Sequence, residues 1–305
     1  MDTQPQIPIV PIQNNPILVE PKKSGFKEGW ASFKKAFTYL FEYPVFLVPI
    51  FFCWIIVASV ILYLRYYWVG PENEGLMFLE FYGFVFLLAY TICLANLMLL
   101  ELMNQREEGR PVSLAQAFNE TVSFNAVRAI PIAIFYSIAW FIIIFLRALT
   151  SKKRRGSRAE PSLKDAALTL GGVTGNPFSW IRLGLDMLEK LLRMTIFLAL
   201  PAIAWENKGS FSAFGKAIEI IKQRPAQFLT SYALTGVFAV IMSLPLLPVF
   251  VLSEAKIDLP EYVWLAVIIY EGIIWTLGIY LEQMTTASLY LLHTKQKKVG
   301  GLENL

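Results

Sequence analysis

Two carboxylates, Glu271 and Glu282, stand eleven residues apart within the long apolar run from Glu261 to His293. On an α-helix that spacing is about three turns and puts both groups on nearly the same face. A charged group at hydrocarbon depth costs several kcal/mol and normally faces a bundle interior or a water-filled cavity. The pair is therefore a candidate ion or proton site; the competing reading is structural, with Arg128, Arg193 or the Thr285 and Thr286 hydroxyls as partners. A second kind of chemistry is spread over Lys27, Lys34, Lys35, Lys216 and Lys222, which alternate with aromatic and aliphatic residues at helical spacing. Ammonium groups beside an apolar stripe are candidate contacts for lipid headgroups. Glu80, Glu101 and Glu206 stand at the edges of other apolar runs.

Little else points to catalysis. His293 is the sole histidine, and Cys53 and Cys93 lie singly within apolar runs, so neither metal-ligand spacing nor a disulfide framework is present. Nucleophile elbows, phosphate-binding loops and zinc-protease helices are missing, and Gly171, Gly172 and Gly175 follow no strand. The expectation is a protein that is not an enzyme, with no cofactor, no metal and no nucleic-acid partner, since no basic groove-reading or base-stacking module is visible.

The elements that must position these residues are set by composition. Only 16% of the 305 residues are charged and 56% are apolar, against about 25% charged in soluble domains. Several apolar runs reach the ~18 residues needed to cross a bilayer. The expected fold is all-α, a polytopic membrane bundle of about six transmembrane helices. Residues 1–24 read as a disordered tail without signal-peptide character, 25–294 as the helical membrane domain, and 295–305 as a polar tail. Spans are expected near Val45–Tyr63, Phe78–Leu100, Ile130–Leu149, Met194–Trp205, Phe228–Leu252 and within Glu261–His293. A basic, glycine-containing loop over 150–179 follows the third. The fourth span is the short one: its apolar part covers only about 18 Å of a roughly 30 Å hydrocarbon layer.

Before three of the spans lies an amphipathic segment, at Gly25–Tyr43, Ser113–Phe124 and Phe211–Gln223. These share a core: Phe33-x-x-Ala36-Phe37, Leu114-x-x-Ala117-Phe118 and Phe214-x-x-Ala217-Ile218, with Pro44, Asn125 and Pro225 at the same distance beyond. The pattern predicts three repeats, each a surface helix followed by a two-span hairpin. Outside the 150–179 loop, Lys and Arg concentrate on the side holding the N-terminus, which predicts a cytoplasmic N-terminus in a bacterial inner membrane. The SKKRRGSR stretch of the loop opposes that bias.

Two stretches carry a family resemblance. LALPAIAWENKGSFSAFGKAIEIIKQRPAQF and SFKKAFTYLFEYPVFLVPIF resemble segments of an uncharacterised family of prokaryotic six-helix membrane proteins. That family is similar in design to the membrane domain fused to glycerophosphoryl diester phosphodiesterases. The resemblance extends over roughly Gly25–Leu292, implies the fold above and brings no catalytic residue with it; the basic loop is a departure. The expected role is that of a multi-pass membrane-organising or partner-binding subunit contacting membrane lipids, anionic ones above all, and other membrane proteins. The alternative is a small transporter or permease-like protein using Glu271 or Glu282.

Overall fold

The structure is a computed structural model that describes residues 25–150, 180–255 and 257–302. The expected tail over 1–24 and all but the first residue of the 150–179 loop lie outside the described residues. Within them every regular element is helical and no strand occurs. The helices are α1 (Gly25–Glu42), α2 (Val48–Tyr66), α3 (Glu74–Glu107), α4 (Leu114–Glu120), α5 (Ala126–Thr150), α6 (Trp180–Glu206), α7 (Ser210–Gln223), α8 (Pro225–Ser243), α9 (Leu247–Glu254) and α10 (Glu261–Leu302). Helix α10 therefore runs on through most of the expected C-terminal tail.

Five helical segments are long and apolar enough to cross a membrane: Pro44–Tyr66, Glu74–Glu107, Ala126–Leu146, Pro225–Ser253 and Glu261–Lys295. This is the mark of a polytopic membrane protein. Helix α6 is the expected sixth, and it falls short for a physical reason. Asp186, Glu189, Lys190 and Arg193 occupy its first half, leaving too short an apolar stretch.

That short stretch does not need lipid around it. Ile196–Ile203 is buried on every side, and the same holds for Ile279–Tyr290 of α10 and most of Ile92–Gln105 in α3. Helices buried all round form the centre of a bundle. The three central segments are tied by buried side chains: Gln283 Nε2 donates to the Phe197 carbonyl at 3.2 Å and Trp205 Nε1 to the Leu100 carbonyl at 3.3 Å.

The outer helices follow a regular order. Helices α2, α5 and α8 each pack on the central helix that follows them, α3, α6 and α10. Helices α5 and α2 also pack on α3 and α10, the central helices of the adjacent hairpins. Helix α8 reaches α6 through side chains: Lys190 Nζ donates to the Tyr232 carbonyl and the Tyr232 hydroxyl to the Met187 carbonyl. The shorter helices close the gaps: α4 covers α3, α7 covers α6, and α1 covers α10 and runs beside the first turns of α8. Small residues allow that last approach. A Cβ on Gly25 would sit 2.8 Å from Ala226, and one on Gly29 would sit 2.7 Å from Thr230.

Local chemistry turns the chain between these layers. At the end of α3, Gly109 takes φ 71°, the left-handed conformation that glycine adopts without strain. The Arg110 amide bonds to the Gln105 carbonyl at 2.8 Å and the Gly109 amide to the Arg106 carbonyl at 3.1 Å, a Schellman closure. The buried Gln105 side chain then accepts from the Ser113 amide at 2.8 Å, and Ser113 caps α4. After α6 the turn is made by Asn207 at φ 53°, a residue type that tolerates this region. Its side chain accepts a hydrogen bond from Arg128 of α5.

Candidate functional site

Two sets of polar side chains and one solitary carboxylate lie inside an otherwise apolar molecule. The first surrounds Glu282. The charged half of α6 and the all-buried half of α10 pack together, which brings Arg193 against the Glu282 carboxylate in a two-pronged contact. Arg193 Nε lies 2.7 Å from one oxygen and an Arg193 terminal nitrogen 3.0 Å from the other. Bidentate guanidinium–carboxylate pairs are among the strongest hydrogen-bonded ion pairs. Lys190 stands 3.8 Å from Glu282, donates to the Tyr232 carbonyl at 2.9 Å and lies over the Tyr232 ring at 4.7 Å. Glu189 reaches Arg193 at 3.7 Å. The fully buried Tyr136 of α5 completes the same neighbourhood of the core. Two cations and two carboxylates thus balance within one buried cluster, and Glu282 is held by α6.

Glu271 is in a different state. It is on the same face of α10, about 16 Å nearer the N-terminus at 1.5 Å per residue, and is only 8% exposed. Neither of its carboxylate oxygens has a hydrogen-bond partner. The structure therefore separates two carboxylates that look equivalent in the sequence: one is clamped, the other is buried without a partner.

The second set is a series of clasps where the short helices meet the ends of the central ones. Lys35 Nζ donates to Glu107 at 3.1 Å and the Tyr39 hydroxyl donates to the same carboxylate at 2.7 Å. Arg106 lies over the Tyr39 ring at 4.7 Å. Burial pulls the Lys35 ammonium down, but its contacts with Tyr39 and Glu107 outweigh that and leave it raised. At α4, Arg110 bridges the buried Glu101 at 3.4 Å and Glu120 at 3.8 Å. At α7, Lys216 ion-pairs with Glu206 and lies over the Tyr290 ring at 4.6 Å, while Lys208 adds a second contact to Glu206 at 2.9 Å. Burial pushes the Glu206 carboxyl up, yet its bonds to Lys216 and Lys208 prevail and hold it down at about 2. Trp205, Glu206, Lys216, Tyr290, His293 and neighbouring residues line a pocket of about 490 Å³ here. Between α1 and α8, Arg224 meets Glu28 at 3.3 Å.

The candidate headgroup lysines divide accordingly. Lys27, Lys34 and Lys222 are exposed. Lys35 is half-exposed but engaged with Glu107, and Lys216 is turned inward onto Glu206 with its side chain 13% exposed. Beside the exposed lysines, Phe26, Trp30, Phe41 and Phe211 are more than half exposed. Helix α1 therefore has three distinct sides: a small, buried side of Gly29, Ser32, Ala36 and Tyr39, an aromatic side and a cationic one.

Sequence reasoning weighed Arg193 as a partner for Glu282 and left Lys190 out. The signal was the i, i+3 spacing of Lys190 and Arg193 on the half of α6 that also carries Asp186 and Glu189. Among the described residues no group of three His, Cys, Asp or Glu side chains gathers as a metal site would require. Compared with known proteins, the chain matches no family model, no curated protein and no solved structure.

Proposed function

We propose that this protein is a membrane-organising bundle of three related units that gathers anionic lipid around α1 and α7, on the cytoplasmic side of a bacterial inner membrane. The observation that carries this reading is the three-sided build of α1: it is fastened to the bundle through small residues and leaves an aromatic ridge and free-standing ammonium groups facing outward. Aromatic rings and snorkelling lysines side by side are what the headgroup region of a bilayer accommodates. Helix α7 repeats the arrangement, with Ala213, Ala217 and Ile220 buried and Phe211 and Lys222 outside.

Kinship of the three units is supported by the matching alanines. Ala36, Ala117 and Ala217 are 1%, 0% and 0% exposed, while Phe118 and Ile218 in the following position are exposed and Phe37 half-buried. The cyclic packing, each short helix covering the central helix of the unit before it, has the same implication. It also fits the six-helix plan expected from the family resemblance, with α6 serving as a sixth membrane-embedded helix shielded by its neighbours. The role proposed is one of binding. Other membrane proteins are natural partners for the exposed apolar sides.

The test is to count lipids that stay bound. Native mass spectrometry of the detergent-solubilised protein carrying Lys27→Gln, Lys34→Gln and Lys222→Gln together should show fewer retained anionic phospholipids than wild type, with zwitterionic lipids unchanged. Equal retention by the triple variant would sink the proposal.

A further inference from the structure

Ten residues separate Glu271 from the start of α10, about 15 Å of helix, which is half the thickness of a hydrocarbon layer. The side chain is nine-tenths buried and both oxygens lack a donor. The surroundings are closed by packing. The indole of Trp54 on α2 lies against the adjacent Gly272, so close that a Cβ there would be 2.5 Å from the ring. The Tyr270 hydroxyl is spent on the Met242 carbonyl at 2.8 Å and the Thr276 hydroxyl on the Gly272 carbonyl at 2.7 Å. A little further toward the start of α10, Trp264 and Val267 form an apolar cluster with Leu246.

No ionisable group on the described elements packed against α10 hydrogen-bonds to Glu271; those nearby are engaged elsewhere, exposed or, for two thiols, buried and unpaired. Arg193 and Lys190 of α6 hold Glu282. Tyr280 donates to the Ala36 carbonyl, and Tyr232 of α8 donates to the Met187 carbonyl. On α2, Cys53 is buried as a free thiol, Tyr63 and Arg65 are exposed, and Tyr66 makes no hydrogen bond to Glu271. Glu28, Lys35, Tyr39 and Glu42 of α1 pair with Arg224, Glu107 and Arg106, and Lys27 and Lys34 are exposed. On α3, Glu101, Arg106 and Glu107 belong to the clasps, Glu80 is exposed, Tyr82 bonds with Ser137 and Tyr90 with the Ala126 carbonyl, and Cys93 is a buried free thiol.

We propose that Glu271 is a proton-binding site at mid-depth in the bundle, occupied near neutral pH. An isolated ionised carboxylate taken out of water costs several kcal/mol even after relaxation, and here no cation offsets it. A metal cation such as Na⁺ would need several oxygen ligands around it, whereas a proton needs one, and one carboxyl is what the site offers. The reasoning does not depend on lipid binding at α1 and α7, and the two can fail separately.

The test uses dicyclohexylcarbodiimide, an apolar reagent that adds to protonated carboxyl groups within membranes. The whole protein, treated in native membranes near neutral pH and digested, should carry one adduct, on the peptide containing Glu271. The adduct should be absent from Glu271→Gln, unaffected by Na⁺, and slower to form as the pH is raised. Glu282, held by Arg193, should stay unlabelled. Because Gln imitates the neutral acid, Glu271→Gln should unfold at the same detergent midpoint as wild type, which shows that loss of the adduct is not loss of fold. An unlabelled Glu271 overturns the proposal, and so does labelling suppressed by Na⁺, which would assign the site to a metal cation.

Discussion

Replacing Glu282 with Gln keeps the side-chain volume and removes the charge, leaving Arg193 and Lys190 close together with Glu189 as the carboxylate still in reach of Arg193. The Glu282 side chain is 5% exposed, Arg193 19% and Lys190 15%, so water screens the cluster poorly. At an effective dielectric of 20, an ion pair near 4 Å contributes about 4 kcal/mol before desolvation, and Glu282 makes two such contacts. Breaking a buried pair by deleting one partner costs about 3–5 kcal/mol, whereas replacing both by apolar groups is often neutral. The expected loss for Glu282→Gln is accordingly about 4 kcal/mol. Arg193→Met alone leaves Glu282 with Lys190, and the double variant recovers much of the deficit, with a coupling of about 2 kcal/mol. Reversible unfolding in graded mixtures of mild and denaturing detergent measures all four corners of the cycle. Purely additive losses would show that Glu282 and Arg193 do not act as a pair, and the description of the cluster would be wrong.

The remaining expectations concern packing and the clasps. Leu in place of Ala36, Ala117 or Ala217 should cost about 1–3 kcal/mol at each position, since all three are fully enclosed; a tolerated Leu at any one, read from the same unfolding curves, would break the equivalence of the units. Gly272→Ala should destabilise by about 1–3 kcal/mol and be better tolerated beside Trp54→Leu, because the clash is with the indole. Glu206 has a carboxyl held at about 2, below its ordinary 4.5. Its contribution is therefore complete above about pH 4.5 and fades as the pH falls towards 2. The stability gap between wild type and Glu206→Gln should narrow over that window, and a gap that widens on acidification would contradict the clasp.

Much of the fold was legible because hydropathy in a membrane chain is a strong signal. Pro44 and Pro225 mark where apolar helices begin, and the structure starts a short 3₁₀ turn and α8 there. The entry at Asn125 was harder, since α4 passes into α5 through a π-helical turn, Thr121–Asn125, which has no distinctive residue pattern. Helix ends were underestimated: α3 runs to Glu107 and α10 to Leu302, because the backbone ladder of a helix does not stop where its apolar residues do. The alanine at the centre of each amphipathic segment was visible as a pattern, but its meaning was not. Only packing shows that the small residue faces the core while the neighbouring aromatic of α4 faces out. The candidate site was half legible. Equal spacing on one helix face says nothing about which carboxylate meets a cation, since Arg193 and Lys190 lie on a helix some ninety residues earlier. Lys216 misled for a similar reason: amphipathic spacing marks a polar side, and here Glu206 on the preceding helix end occupies that side.

The most direct measurement is the lipid composition immediately around the wild-type protein. Extraction in native polymer nanodiscs, followed by lipid analysis against the bulk membrane, should show anionic phospholipid enriched in the protein-bearing discs. A composition indistinguishable from bulk would contradict the claim that the cationic and aromatic sides of α1 and α7 gather anionic lipid.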